Sequence, residues 1–301
     1  MQQYRLHVTP YVRQIDLTIF FGLVLYSVQI LCDFSGGIDI ARGVAQCLGI
    51  KLDDNFRRPY FAKSIAEFWR RWHITLGSWM RDYVFYPISF SKHYSKAGKF
   101  LRKKASGSLG RYFAKVVPAM LVTMFTFLLI GMWHGASFRF VAFGLYHGSL
   151  VAGSLLLEPV FAKFRTAIGI SDGNKLWHSL CVVRTFVLIC IGRYFSASPT
   201  FTVAVDMLRH TVQRVGVHQF NFETFLRMGE NLENLWVLAM SVVIIIIIGS
   251  LQERGVSIRR ALDGRSFATQ WAVMFFLVGS IIIFGVYSDT YIPQEFIYQQ
   301  F

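Results

Sequence analysis

Charged residues are scarce in this sequence: they make up 16% of the 301 residues, whereas 54% are hydrophobic. Soluble globular domains carry about a quarter charged residues, so this composition excludes an ordinary soluble protein. Acidic residues are especially few, with 17 Asp and Glu against 31 Lys and Arg, for a net charge of +14. The basic residues cluster between apolar runs, as in the cytoplasmic loops of membrane proteins. We therefore predict a multi-pass protein of the inner (cytoplasmic) cell membrane, with membrane lipids as neighbours and no nucleic-acid partner.

The sequence also lacks the short motifs of several enzyme classes. It contains no Rossmann glycine pattern and no P-loop, and its Gly-x-Ser-x-Gly match, residues 169–173, lies between two apolar runs and not at the strand-to-helix turn of a nucleophile elbow. The cysteines have no metal-binding spacing, and we expect them to act as small apolar residues. They are Cys32, Cys47, Cys181 and Cys190. We therefore predict no metal site and no bound cofactor.

Six apolar runs approach or reach the length needed to cross the ~30 Å hydrocarbon core of a bilayer. They are residues 17–32, 116–133, 140–157, 176–192, 235–251 and 266–288. The segment 91–115 carries eight Lys and Arg and no acid, which predicts that it lies in the cytoplasm. The predicted fold is therefore all-α, a polytopic integral membrane protein of about six transmembrane helices plus re-entrant or interfacial helices. It forms one domain over residues 1–301, and Arg184, in the middle of the fourth run, is expected to face inward.

Two polar segments are not expected to be lipid-exposed helices. Asp33 and Asp39 flank a Gly-Gly pair after the first apolar run, which predicts a helix break with acids near a helix start. That segment is either a capped loop at the membrane surface or a lock for an arginine. Residues 61–87 mix aromatic and charged side chains, which predicts a re-entrant or interfacial helical segment. On a helix, Trp69, Trp72 and His73 would share one face.

Two histidines, His73 and His134, each follow a tryptophan in or beside an apolar segment. An ionisable side chain at membrane depth is costly to bury, so it is a functional hypothesis by default. An imidazole with a pKa near ~6.5 can accept a proton from an attacking hydroxyl, and a water-poor pocket protects an activated acyl group from hydrolysis. Because no serine on a strand-to-helix elbow and no cysteine paired with a histidine is visible, we predict direct transfer from donor to acceptor. The alternative for each histidine is a hydrogen-bonded structural role.

Five sequence blocks occur in one order between residues 33 and 135. They are Asp33-Phe34-Ser35-Gly36, Asn55-Phe56-Arg57-Arg58-Pro59-Tyr60, Glu67-Phe68-Trp69-Arg70-Arg71-Trp72-His73-Ile74-Thr75-Leu76, Trp79-x-Arg81-Asp82-Tyr83 and Gly131-x-Trp133-His134-Gly135. Together they resemble the membrane-bound O-acyltransferase (MBOAT) family, in the branch of the alginate O-acetyltransferases and the D-alanyl-transfer proteins of teichoic acid synthesis. The resemblance covers residues 17–150, whereas the later spans match only in their hydropathy.

The resemblance implies a funnel of tilted helices in which His134 is the catalytic general base and His73 a second essential residue. Residues that hold the re-entrant segments or line the substrate channel would be Asp33, Arg70, Arg71, Trp72, Arg81, Asp82 and Trp133. The donor, such as acetyl-CoA or an acyl-carrier-protein thioester, would arrive from the cytoplasm. The acceptor would be an exported polysaccharide or an extracytoplasmic acyltransferase partner.

Both ends of the chain carry further expectations from the resemblance. Family members usually have several more spans ahead of the position of Met1. The chain is therefore expected to be the C-terminal two-thirds of the usual length, with a partner chain supplying the N-terminal spans, and its activity alone stays open. The tail, residues 293–301, resembles the ends of bacterial members and makes Tyr298 a candidate acyl shuttle. The alternative for Tyr298 is an aromatic anchor at the membrane surface.

The predicted function is a membrane O-acyltransferase that moves an acyl group, acetyl in the first place, to a hydroxyl of an exported polysaccharide or of a partner protein. Such a reaction belongs to alginate biosynthesis or to cell-wall modification. D-alanyl transfer to teichoic acid is the alternative within the enzyme class. Outside that class stand an inactive scaffold and a transporter subunit with Arg184, His134 and His147 as pathway groups. The absence of inverted repeats argues against the transporter.

Overall fold

A computed structural model of the chain describes residues 17–171, 173–213 and 232–285. Within these ranges the chain forms helices and turns, with an isolated β-bridge between Phe56 and Trp72 and no strand. The helices fall into two compact units, one within residues 17–213 and the other within residues 232–285. Each unit is described by itself.

The predicted all-α membrane architecture is confirmed. The first unit contains α1 (Leu17–Cys47), α2 (Ile65–Arg71), α3 (Ile74–Met80), α4 (Tyr86–Ser89), α5 (Lys92–Lys104), α6 (Gly107–Trp133), α7 (Phe138–Ala167), α8 (Lys175–Ala197) and α9 (Phe201–Gln213). The second contains α10 (Leu232–Glu253), α11 (Ile258–Asp263) and α12 (Phe267–Phe284). Six described helices, α1, α6, α7, α8, α10 and α12, are long and apolar enough to cross a membrane.

Helix α1 is continuous through the segment where the sequence predicted a break, so that prediction is wrong. Its buried positions are Leu23, Ser27, Ile30 and Phe34, which recur at helical spacing past the first apolar run. The Phe34 ring packs edge-on against the rings of Phe56 and His73, with centroids 4.9 Å apart in both pairs. This long-range packing outweighs the low helix propensity of the Gly-Gly pair.

An arginine is bound near this segment, but Asp33 does not bind it. Asp33 is exposed and forms no ion pair with the residues that the structure describes. Arg42 instead pairs with Asp39, at 3.0 Å, and with Asp54, at 2.5 Å, so that it ties the end of α1 to the loop that follows. The acid that acts as a lock is therefore Asp39, one helical turn before Arg42.

Helices α6 and α7 form a hairpin whose backbones touch at two glycines. A Cβ on Gly131 would collide with the Phe140 carbonyl oxygen, and a Cβ on Gly144 would collide with the Phe127 carbonyl oxygen. Only glycine permits this approach, which is how membrane helices gain packing contacts that lipid does not supply. The hairpin fixes the position of His134, which directly follows α6.

The segment 61–87, predicted to be re-entrant or interfacial, lies against α6. Ser64 caps α2 by accepting a hydrogen bond from the Glu67 backbone N–H, 3.1 Å away. Further along, Met80 and the neighbouring apolar side chains pack against Phe127 and Ile130 of α6. A π-helical turn, Arg81–Phe85, joins α3 to α4. The charged segment is therefore covered by protein on one side, which is the condition for polar backbone at membrane depth.

Helices α10 and α12 of the second unit expose nearly all of their apolar side chains. Only 6% of the most apolar stretch of α10 is buried, and none of that of α12. Both helices are apolar on all sides, which is typical of helices surrounded by lipid.

Candidate active site

The loop that carries His73 is held by a second segment 18 residues earlier in the chain. The Ile74 N–H donates to the Asn55 carbonyl oxygen at 3.0 Å, and the Arg57 N–H donates to the Arg71 carbonyl oxygen at 2.9 Å. These bonds end α2 at Arg71 and leave Trp72 extended. The prediction that Trp69, Trp72 and His73 share one helical face is therefore wrong, because the pairing with residues 55–57 replaces the helix.

His73 occupies a strained backbone conformation. Its φ of 44° and ψ of 56° lie in the left-handed region, which costs an L-residue roughly 1–2 kcal/mol. Strain of this kind persists only when the surrounding contacts over-determine it, and it concentrates at functional sites. Here the contacts are the backbone bond from Ile74 to Asn55 and the packing of the His73 ring on Phe34.

Asn55 also sets the tautomer of His73. The Asn55 Oδ1 atom accepts hydrogen bonds from the Thr75 backbone N–H at 3.3 Å and the Thr75 hydroxyl at 2.6 Å, so the atom must be the amide oxygen. The His73 Nδ1 atom lies 3.1 Å from the same oxygen and therefore carries the proton. The lone pair of the neutral ring then resides on Nε2. Sequence reasoning placed Asn55 in a motif block but assigned it no role.

The structure brings the two predicted histidines together around Trp133. The Trp133 ring centroid lies 5.0 Å from that of His134 and 5.9 Å from that of His73. On its other side His134 stacks near Phe140 and meets Phe143 edge-on at 5.5 Å. Burial lowers the pKa of His134 to about 4, with further lowering by the charges of Arg193 and His73. Burial likewise lowers the pKa of His73 to about 4, so both rings are neutral at pH 7.

Two polar residues that sequence reasoning did not place at the site are buried beside these rings. His147 is 2% exposed and packs between Trp69 and Phe143, with centroid distances of 5.1 and 4.7 Å. Arg193 is 5% exposed and lies over the Trp72 ring at 5.1 Å. The sequence pattern that could have identified Arg193 is the periodicity of α8. Buried positions of this helix recur every four residues, at Cys181, Thr185, Ile189 and Arg193.

The inward-facing arginine of α8 was predicted to be Arg184, and that prediction is wrong. Arg184 is exposed and donates a hydrogen bond to the Lys63 carbonyl oxygen at 2.8 Å. It falls one residue before the buried position Thr185, and helical rotation over that one residue turns its side chain away from the buried face.

A cavity of 480 Å³ lies between the segment 61–87 and α6, and chain neighbours of His73 and His134, not the two histidines themselves, line it. Its walls are mainly apolar and include Trp69, Ile74, Phe127 and Ile130. Ile74 directly follows His73, and Ile130 lies one helical turn before His134. Two guanidinium-bearing residues, Arg70 and Arg81, also line the cavity. An apolar cleft with a few convergent polar groups is the usual form of a small-molecule site.

Comparison with known families finds a match over part of the chain. The model of MBOAT, the membrane-bound O-acyltransferase family, matches residues 2–102. Over this segment the chain is similar to the MBOAT family. The matched segment includes Asn55 and His73, whereas His134 lies beyond it.

The relatives of this chain carry three kinds of name. A probable alginate O-acetylase of Pseudomonas aeruginosa is 32% identical over 186 residues, which are 62% of this chain and 30% of that protein. A teichoic acid D-alanyltransferase of Bacillus subtilis is 33% identical over 58% of this chain and 40% of its own length. A peptidoglycan O-acetyltransferase of Helicobacter pylori is 37% identical over 41% of this chain and 19% of its own length. The matched part therefore spans two-fifths or less of the relatives' length.

The other predicted site residues lie in different surroundings. Trp72 stacks near Phe68 and meets Phe56 edge-on, so it belongs to the core under His73. Arg71 binds Glu67 at 2.7 Å and braces α2 internally. Arg81 and Asp82 form an exposed ion pair with each other at 2.9 Å. Tyr298 lies outside the described residues, and its role as a shuttle stays a prediction.

Proposed function

We propose that this chain is a membrane O-acyltransferase that moves an acyl group, acetyl in the first place, from a thioester donor to a hydroxyl. The observation that carries the proposal is the pair of neutral histidines, His73 and His134, clustered on Trp133 beside an apolar cavity. The acceptor we propose is an exported polysaccharide, as the relatives' names suggest, or alternatively a partner acyltransferase. The proposed location is the inner cell membrane, with the basic segment 91–115 in the cytoplasm.

In the proposed reaction His134 is the general base. The acceptor hydroxyl gives its proton to the neutral imidazole of His134 while its oxygen attacks the thioester carbonyl carbon. The C–S bond then breaks, and the imidazolium returns the proton to the departing thiolate. His73, oriented by Asn55, accepts a hydrogen bond from a reactant through the lone pair on Nε2. The apolar cavity suits the acyl chain and the thioester arm.

Membrane vesicles from cells that overproduce the chain provide the test. With radiolabelled acetyl-CoA as donor and an alginate oligosaccharide as acceptor, we expect label in an ester that hydroxylamine releases. Replacing these two probes with a D-alanyl carrier-protein thioester and lipoteichoic acid tests the alternative, which the Bacillus subtilis relative favours. Vesicles that transfer neither acyl group above the level of vesicles without the chain would count against the proposal.

The scaffold and transporter hypotheses can each be tested against the acyltransferase hypothesis. The transporter hypothesis used Arg184 as a pathway group. That side chain is exposed and donates to the Lys63 carbonyl oxygen, which argues against this role. A scaffold needs no general base, so its activity in cells would survive the loss of His134.

The rate of transfer should stay constant well into the acidic range. The base form of His134 is the neutral ring, and burial and the Arg193 charge lower its pKa to about 4. A lowered pKa keeps the ring neutral to lower pH, so kcat/KM should be flat from pH 7.5 to 5.5 and fall only as the pH nears about 4. An ordinary histidine would lose half of the rate near pH ~6.5. Activity regained on return to pH 7 excludes acid denaturation, and a midpoint near 6.5 would contradict the buried base.

Replacing Asn55 with alanine should lower kcat by about 10- to 100-fold, because a reacting group displaced by about 1 Å can lose that much rate. The substitution removes the oxygen that fixes the His73 tautomer and leaves the backbone bond from Ile74 in place. The matched control is Asn174→Ala, which removes the exposed cap of α8. Equal kcat in the two variants would show that the Asn55 side chain does not orient His73.

A further inference from the structure

Arg193 is a buried cation without a counter-ion among the residues that the structure describes. Arg193 is 5% exposed, and its Nε atom has no hydrogen-bond partner among the described residues. No carboxylate in residues 17–171, 173–213 and 232–285 forms an ion pair with it. Burying a guanidinium without an anion is strongly unfavourable, so such a group is retained where negative charge arrives.

The surroundings of Arg193 orient it without neutralising it. Its guanidinium carbon lies 5.1 Å from the centre of the Trp72 ring. Trp72 directly precedes His73 in the chain. The guanidinium also lies beside the Tyr60 hydroxyl, whose pKa burial raises to about 12 although Arg193 opposes the shift. Tyr60 is therefore a neutral phenol, and its hydroxyl donates to the Ser27 carbonyl oxygen at 2.5 Å. An aromatic face and a neutral hydroxyl hold a guanidinium in place but leave its positive charge available.

Arg193 is also tied to the histidine cluster through α8. The preceding residue is Gly192, where a Cβ would meet the His147 ring at 2.5 Å, so the glycine lets that ring reach α8. The His147 Nδ1 atom, like Arg193 Nε, lacks a partner among the described residues. The charge of Arg193 acts on His134 strongly enough to contribute to the lowering of its pKa. Arg193 and the proposed base His134 therefore interact electrostatically.

We propose that Arg193 is a catalytic residue that stabilises the negative charge formed on the acyl carbonyl oxygen during transfer. The proposal rests on the proposed acyltransferase function. When the acceptor oxygen bonds to the carbonyl carbon and His134 takes the proton, the carbonyl π electrons move to the oxygen. The oxyanion exists until the C–S bond breaks and the thiolate leaves with the proton from His134. A fixed cation in a dry site stabilises this charge without reorganising, and it binds the neutral thioester only weakly.

The test compares three variants of the full chain in membrane vesicles, with acetyl-CoA and an alginate oligosaccharide as probes. In Arg193→Gln, kcat should fall about 10²- to 10³-fold with KM for acetyl-CoA unchanged, as when an oxyanion donor is removed. In Arg193→Lys the charge remains but the planar fork is lost, so kcat should fall about tenfold. Arg184→Gln, on the exposed side of the same helix, should stay within about twofold of the wild type.

Other outcomes overturn the proposal. A raised KM with unchanged kcat would show that Arg193 binds an anionic group of the substrate in the ground state. A loss in Arg193→Gln that disappears at high pH would show that the residue acts only through the protonation of His134. If Arg193→Gln does not insert into the membrane, Arg193→Lys decides, and a wild-type kcat there overturns the proposal. Wild-type vesicles without transfer would refute the proposed function itself, whereas active vesicles with an active Arg193→Gln refute only this inference.

Discussion

Replacing His134 with glutamine should lower acyl transfer by about 10³-fold, within the range that general-base catalysis contributes. Glutamine keeps a polar side chain of similar length, but its amide does not accept a proton at neutral pH. The rings of Trp133, Phe140 and Phe143 pack around residue 134. This side chain is neutral both as histidine in the wild type and as glutamine in the variant, so the fold should tolerate the change. The loss should appear in kcat, because the proton moves only in the transition state.

The measurement is the initial rate of label transfer in vesicles that contain equal amounts of inserted protein. His93→Gln is the matched control, because His93 lies on the exposed face of α5, outside the histidine cluster. That variant should retain the wild-type rate. If His134→Gln retains more than a tenth of the wild-type rate, His134 is a structural residue and another group takes the proton.

Replacing Gly131 with valine should destabilise the α6–α7 hairpin by about 3 kcal/mol, the upper range for overpacking a tight contact. The added side chain would collide with the Phe140 carbonyl oxygen and with the backbone of Gly144, neither of which is a flexible group. Because His134 follows α6 by one residue and Phe140 packs on its ring, activity should fall together with stability.

Unfolding of the detergent-solubilised protein measures this effect. Gly153→Val is the matched control on α7, since a Cβ at Gly153 meets no atom within 4 Å. We expect a lower unfolding midpoint for Gly131→Val and little change for Gly153→Val. Equal midpoints would show that the two helices separate enough to accept the side chain, and that the glycine contact is not required.

The spans and the two histidines could be predicted because both depend on local information. Apolar runs need only a window of neighbouring residues, and all six runs fall on helices long enough to span a membrane. His73 and His134 were visible because each follows a tryptophan in a recognisable block. The structure adds that Trp133 contacts both rings, and it brings an apolar cavity to their side.

The errors arose where distant residues decide local structure. The Gly-Gly pair after Asp33 predicted a break, but Phe34 packs on residues of the next segment and keeps α1 intact. The end of α2 depends on backbone bonds between residues 55–57 and 71–74, which periodicity does not detect. Asn55 was missed for the same reason, because its role exists only after the loop has folded against His73.

The most direct test of the central claim is the ester content of the exported polysaccharide in a strain that lacks this chain. The strain is complemented with the wild-type chain or with His134→Ala, at equal levels in the membrane, and base-labile acyl esters are measured. We expect the wild-type chain to restore the esters and His134→Ala to restore none. Esters restored equally by both forms, or by neither, would contradict the account of an acyltransferase that uses His134 as its base.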